Sequence, residues 1–422
     1  PACLREFDEC LRDVLGEGLT LDATPIRIGS WMGGDRDGNP FVTHQVTAEV
    51  ILLARWMACD LYLRDIDTLR AELSLSRCGD ALRAQVGDAS REPYRDWLKQ
   101  VRGRLQATQA AALAALGRAD AALQSEAGDA IAYATGDELL ADMQLCHDDL
   151  QAAGLALLCE GGLSDNLRRI ATFGFGLMRL DIRQESTRHV DALAAITKYL
   201  GLGDYGAWDE QQRQQFLLQE LASPRPLLPL SALSTDVVSG FSDEVREVLA
   251  TFQLLATQPA EALGAYVISM AHQPSDVLAV MVLQRKADSR HPLRVVPLFE
   301  TYDDLARAPS CLRSLLALPI YRECIGNHQE IMIGYSDSAK DAGFLAAAWA
   351  QYQAQEELTA IAAEAGVNLV FFHGRGGSVS RGGAPTDQAL RSQPPGSVRG
   401  ALRVTEQGEM IRFKFGLPGI AE

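Results

Sequence analysis

Between residues 371 and 383 the chain reads Phe371-Phe372-His373-Gly374-Arg375-Gly376-Gly377-Ser378-Val379-Ser380-Arg381-Gly382-Gly383, so one imidazole, two guanidiniums and five glycines share one segment. A guanidinium is a planar fork of donors that meets phosphate or carboxylate oxygens two at a time. Glycine lets the backbone approach a ligand and move over it, at an entropic cost that a purely structural loop rarely accepts at five positions. His373 and Arg375 are two apart, so on an extended chain they point the same way. The plain alternative is a surface turn with solvated arginines. The coincidence of an apolar run (Asn368 to Phe372), an imidazole and paired arginines favours a pocket for a small phosphorylated anion. The loop from Gly374 to Ala384 is expected to be mobile until such an anion arrives.

Two carboxylates extend that chemistry. Glu300 and Asp337 each close a short apolar run, and hard oxygen ligands of this kind suit a Mg²⁺ or Mn²⁺ ion that keeps waters and also binds substrate oxygens. Each could equally cap the next helix or pair with an arginine. Lys340 lies one helical turn after Asp337 and can face the same pocket, or stand solvated. Asp35-Arg36-Asp37-Gly38-Asn39 is not a calcium loop, because Pro40 and Val46 occupy the positions that need the turn glycine and the bidentate Glu. There is no Walker A sequence, and Gly174-Phe175-Gly176 does not complete a dinucleotide fingerprint. A Gly-x-Ser-x-Gly elbow and a His pair at metal spacing are also absent.

The elements that must position these residues repeat one pattern, an apolar run followed at once by a polar or glycine-rich cluster. It occurs at Arg27–Trp31, Gly176–Ile182, Ala265–Ser269, Leu293–Phe299, Glu330–Gly334, the run into His373, and Leu402–Thr405. Seven candidate strands alternating with helical sequence predict a parallel sheet, with polar clusters at the carboxyl ends where barrel sites assemble. Residues 47–159 and 186–263 carry helical periodicity, with Ala/Leu-rich stretches such as 106–123, and read as helical insertions. The expectation is one barrel-based domain over 1–422, mostly α by residue count. Pro224 to Pro229 reads as a stiff loop.

Composition narrows the partners. At 47% hydrophobic residues with 17 Pro, the 422-residue chain predicts a large core and little disorder. A net charge of −16 argues against nucleic acid or an anionic membrane surface as partner. It also makes the arginine loop a local positive patch in an acidic protein. The eight Cys are scattered without a Cys-x-x-Cys pair, as expected for free thiols in a reducing cytoplasm. No secretory signal opens the chain and no apolar run is long enough to span a bilayer. With Pro1 first and Phe415-Gly416-Leu417-Pro418 near the end, both ends read as cuts.

Four segments carry a resemblance: Phe372-His373-Gly374-Arg375-Gly376-Gly377-Ser378, Gly334-Tyr335-Ser336-Asp337-Ser338-Ala339-Lys340-Asp341-Ala342-Gly343, Gly29-Ser30-Trp31-Met32-Gly33-Gly34-Asp35-Arg36-Asp37-Gly38-Asn39-Pro40, and Leu402-Arg403-Val404-Thr405-Glu406-Gln407-Gly408-Glu409-Met410. Together they closely resemble phosphoenolpyruvate carboxylase of the bacterial type, in the same order and over nearly the whole chain. The resemblance implies a TIM-type (β/α)₈ barrel wrapped in helices. It implies a lyase that joins phosphoenolpyruvate and bicarbonate into oxaloacetate and phosphate with Mg²⁺ or Mn²⁺, replenishing the tricarboxylic acid cycle. In that family bicarbonate attacks phosphorus, giving carboxyphosphate and the enolate of pyruvate, and the enolate captures the CO₂ then released.

By the same resemblance Glu300 and Asp337 match the metal ligands. Arg183, Arg375 and Arg381 match the phosphate-binding arginines, with Gly376 and Gly377 beside them. Lys340 matches an active-site lysine near bicarbonate, and His373 a histidine that helps close the pocket; Lys340, His373 and Arg381 are therefore the catalytic candidates. Arg381 also matches a position shared with an aspartate-type allosteric inhibitor, and the full-length protein is expected to be a cytoplasmic homotetramer. Ser380 stands where the family usually has glycine, and Phe41 where it has Asn. The family's catalytic histidine, in a Thr-Ala-His-Pro context on the first barrel strand, is not among the seven His here, and a C-terminal part with further arginines is missing too. The piece alone is therefore expected to be inactive. A module that keeps the pocket, binds phosphorylated anions and catalyses nothing is the competing reading. A more distant one is a phosphoenolpyruvate-using barrel serving a swivelling histidine domain; the Asp337–Lys340 motif and the Arg375–Arg381 loop favour the carboxylase over it.

Overall fold

The computed structural model describes residues 2–228, 240–374, 386–406, 411 and 415–417. Within them the chain is mixed α/β and mostly helical. Its strands are β1 (Gly29–Ser30), β2 (Arg179–Glu185), β3 (Leu263–Ser269), β4 (Arg294–Phe299), β5 (His328–Gly334), β6 (Asn368–Gly374) and β7 (Arg403–Val404), arranged in the sheet in sequence order. The described pairings are parallel. Parallel strands covered on both faces read as continuous apolar runs, not as alternation. β3 (Leu-Gly-Ala-Tyr-Val-Ile-Ser) does so and is buried at all positions but Gly264.

Parallel neighbours need crossovers, and helices supply them. Helix Pro274–Lys286 between β3 and β4 starts with Pro at its first turn, behind a capping box of Gln273 and Asp276. Helix Tyr302–Leu316 after β4 has a second box, Thr301 with Asp304. β5 and β6 pair in register from His328↔Asn368 to Gly334↔Gly374, so their carboxyl ends finish level. That register puts Tyr335 beside the end of the strand that carries His373.

The strand read at Gly176–Ile182 lies three residues later. Leu177 takes a left-handed φ of 58° and the Met178 amide bonds back to the Gly176 carbonyl at 2.6 Å, so a tight turn precedes β2. Arg183 consequently sits within the strand. β6 similarly continues through His373 to Gly374. In the Ala/Leu-rich stretch 106–123, helix Pro93–Ala115 ends before Gly117 (φ 69°), and Asp120 caps a second helix, Ala121–Ala127.

One polar cluster shows that the sheet curls. Arg403 on β7 forms an ion pair with Asp181 on β2 and bonds Glu330 on β5 at 2.6 Å, its guanidinium also stacking 4.0 Å over Phe372. In a flat sheet β2 and β7 would stand about five strand spacings, roughly 24 Å, apart. A guanidinium cannot bridge that distance. The strands therefore bend round until Asp181, Glu330 and Arg403 meet on the concave side.

The chain divides into two compact units. Pro1–Gly33, Gln45–Leu180 and Pro259–Gly264 form a largely helical one, with a core of residues such as Tyr62, Leu98, Leu139, Met143 and Phe175. Inside it the half-buried Glu261 carboxylate accepts the Gly136 and Phe175 amides; burial raises its pKa more than those bonds lower it. The other unit, Gly34–His44, Asp181–Gln258 and Ala265–Glu422, contains every candidate site residue. All eight Cys are thiols without a disulfide. Among the described residues no helix is long and apolar enough to cross a membrane.

Candidate active site

Arg183 is held by the segment that precedes it by some 150 residues in sequence. Residues 34–36 run beside β2, with the Arg183 amide donating to the Gly34 carbonyl and the Arg36 amide to the Arg183 carbonyl, both at 2.9 Å. That alignment seats Asp35 against the guanidinium in a two-point pair, Nε to Oδ1 at 2.7 Å and Nη2 to Oδ2 at 2.8 Å, with Asp37 further out at 3.8 Å. Burial pulls the Arg183 pKa down. The bonds and charge of Asp35, then the charges of Asp37 and Glu300, outweigh it and leave the guanidinium above its ordinary value. Arg183 is thus a fixed, permanent cation within electrostatic reach of Glu300. Arg36 is itself buried, donates to the Gly34 carbonyl at 3.0 Å, and is pushed down by burial against the opposing charges of Tyr266, Glu247 and Asp35.

Glu300 follows β4 directly and is 8% exposed. The Met270 amide, at the end of β3, donates to its Oε2 at 3.2 Å. On the other side lies Gly334, the last residue of β5. A Cβ there would meet the Glu300 Cα at 3.0 Å and Cγ at 3.3 Å. Glycine therefore lets β5 close up against the carboxylate-bearing residue.

From Gly334 the chain turns into helix Ser336–Ala342, which carries Asp337 and Lys340. Ser338 Oγ donates to the Gly334 carbonyl at 3.0 Å, and Gln351 donates to both that carbonyl and Ser338 Oγ, at 3.1 and 2.8 Å. Asp341 accepts the Tyr302 amide at 3.1 Å, tying this helix to the segment after Glu300. The side chain of Asp337, and with it the expected approach to Glu300, lies outside the described residues. Among the described residues no group of three or more His, Cys, Asp or Glu gathers into a metal cage.

His373, on β6, is 1% exposed. Its Nδ1 shares a 2.9 Å hydrogen bond with the Tyr335 hydroxyl, and its carbonyl accepts the Thr405 amide at 3.0 Å. Tyr335 thereby orients the ring, while Thr405 holds the backbone of the strand that carries it. Arg375, Gly376, Gly377 and Arg381, with the expected mobility of their loop, lie outside the described residues.

The carboxyl ends of β2, β4 and β6 thus bring forward a locked guanidinium, a buried carboxylate and an oriented imidazole, and the helix after β5 bears a lysine. These are the parts needed to hold an anion and stabilise negative charge during reaction. The comparison with known families is unambiguous: the family model described as phosphoenolpyruvate carboxylase matches residues 1–422.

The chain belongs to the phosphoenolpyruvate carboxylase family. It is 55% identical over 422 residues to the phosphoenolpyruvate carboxylase of Marinobacter nauticus, which covers 100% of this chain and 46% of that protein. Identity to the Pseudomonas aeruginosa phosphoenolpyruvate carboxylase is 56%, and to the Acinetobacter baumannii one 54%, with the same coverage. The chain spans a little under half the length of these relatives.

Several residues of this family member escaped the reading of its sequence. Asp35 lies within a quoted motif, but nothing in the motif names Arg183 as its partner. Tyr335 adjoins Asp337 in sequence, yet its bond to His373 depends on the β5–β6 register. Met270, whose amide meets Glu300, carried no motif at all.

Proposed function

We propose that this chain is the central part of a phosphoenolpyruvate carboxylase built on a (β/α)₈ barrel, which forms oxaloacetate and phosphate from phosphoenolpyruvate and bicarbonate. The observation that carries the reading is the set Arg183, Glu300 and His373 at the carboxyl ends of parallel strands β2, β4 and β6, in a member of this family.

Glu300 and Asp337 would hold a Mg²⁺ or Mn²⁺ ion. The fit rests on the hard oxygen donors and on the Cβ-free packing of Gly334 against Glu300, which brings the strand leading to Asp337 alongside. When bound, such an ion supplies positive charge for the enolate oxygen. The rest falls to the chain's own side chains. Arg183, with Arg375 and Arg381, binds the phosphoryl oxygens as bicarbonate oxygen attacks phosphorus and the bond from phosphorus to the enol oxygen breaks. That step yields carboxyphosphate and the enolate. Carboxyphosphate loses phosphate to give CO₂, and the enolate carbon attacks it, forming the new carbon–carbon bond. Lys340 faces bicarbonate. His373, its Nδ1 held by Tyr335, closes the pocket against water, and Gly376 and Gly377 let backbone approach the substrate. Cytoplasmic location, an aspartate-type inhibitor reaching Arg381 and a homotetramer belong to the same proposal.

Bicarbonate-dependent oxaloacetate formation by the complete protein, coupled to NADH oxidation by malate dehydrogenase, tests it. In Arg183→Lys an ammonium replaces the planar fork, and kcat/KM should fall about ten- to a hundredfold. No oxaloacetate from the wild-type protein would end the proposal.

A further inference from the structure

Met270 occupies a left-handed backbone conformation, φ 53°, at the end of β3. For a residue with a Cβ this costs about 1–2 kcal/mol and persists only where its surroundings over-determine it. The surroundings here grip the peptide from both ends. Ser186 Oγ, from the first turn of the helix after β2, donates to the Met270 carbonyl at 2.7 Å. The Met270 amide donates to Glu300 Oε2 at 3.2 Å. Two residues on, His272 Nδ1 meets Asp304 Oδ1 at 2.6 Å, and the His272 amide donates to Asp276 at 2.8 Å. Asp304 is fully buried and belongs to the capping box of the helix that follows Glu300.

A strained turn that merely ended a strand would need no carboxylate on its amide. Here the strain turns that amide toward Glu300, while Ser186 and Asp304 pin the turn from the two flanking strand ends. We infer that the Met270 peptide, fixed by Ser186 and by the His272–Asp304 pair, is the positioning element that sets the direction in which Glu300 presents its carboxylate to a divalent cation. The inference rests on the proposed metal role of Glu300. It is the backbone that acts, since the Met270 side chain is 39% exposed.

Partners that orient a metal ligand typically contribute ten- to a hundredfold in metal affinity. The test is Mn²⁺ binding by the complete protein, read from the loss of the free-ion EPR signal, with thermal melting measured alongside. Ser186→Ala and His272→Gln each release one end of the turn and should raise the Mn²⁺ dissociation constant about tenfold. The KM for Mn²⁺ should rise in parallel while kcat at saturating Mn²⁺ holds. Met270→Ala keeps the peptide and should bind Mn²⁺ within about twofold of wild type. Folded Ser186→Ala and His272→Gln proteins with unchanged Mn²⁺ affinity would overturn the inference alone, as would a tenfold loss in Met270→Ala. A wild-type protein that binds no Mn²⁺ would overturn the metal reading and this inference together.

Discussion

Replacing Arg403 with methionine removes a side chain that meets carboxylates from two distant strands. Breaking a buried ion pair from one side costs about 3–5 kcal/mol, because a charge is left without compensation. The structure sets the value near the lower end. A quarter of the Arg403 side chain is exposed, and Glu330 keeps Arg294 at 3.2 Å. Asp181, 2% exposed in its side chain, is left with the Ala265 amide at 2.8 Å. Arg403→Met should therefore cost about 3 kcal/mol in urea unfolding, mostly at Asp181. Burial already raises the Asp181 pKa above its ordinary 3.8, against the opposing charge of Arg403. A folded-state pKa above the unfolded one means that the folded state binds the extra proton, so this group's penalty shrinks as pH falls through its folded pKa. Without Arg403 that pKa rises further. The deficit of Arg403→Met against wild type should therefore be largest at alkaline pH and diminish as the pH falls through the raised Asp181 pKa. Asp181→Asn in the same background should recover more than half of it. A deficit below about 1 kcal/mol, or one that does not change with pH, would refute the reasoning.

Gly334→Ala should cost about 1–3 kcal/mol and weaken Mn²⁺ binding, because its Cβ meets the Glu300 Cα at 3.0 Å and the Phe299 carbonyl oxygen at 3.3 Å; unchanged melting and affinity would show that Glu300 is not wedged there. His189, buried and bonded to the Tyr266 hydroxyl at 2.7 Å, has its pKa pushed by burial from 6.5 down to about 3. The unfolded chain then binds a proton that the folded one refuses, so stability should fall as pH drops from 6.5 toward 3. His189→Gln should flatten that decline by up to about 1.4 kcal/mol per pH unit, and an acid-unfolding curve of unchanged slope would count against it.

The legible part of this molecule was local. β3, β4 and β6 are apolar runs that end in polar residues, and the reading placed them within two residues at either end. Glu300 could be assigned to a strand end for the same reason. β2 was misplaced because a left-handed leucine has no composition signal, unlike a glycine. What stayed hidden was partnership. Asp35 with Arg183, Met270 with Glu300 and Arg403 with Asp181 are 148, 30 and 222 positions apart. A sequence shows that each residue is polar, but which of them meet is decided by the curvature and register of the sheet.

The 222-position gap between Asp181 and Arg403 also bears on how the chain emerges from the ribosome. At synthesis rates of 5–20 residues per second, β2 is made roughly 10–45 s before the guanidinium that neutralises it. For that interval Asp181 is without the Arg403 charge, and an uncompensated carboxylate favours water over a dry interior. The arrival of β7, the last of the described strands, should then let the interior lose water in one late step. Nascent chains arrested before residue 403 should accordingly be cut by protease within β2 and β3, and chains arrested well beyond it should be protected.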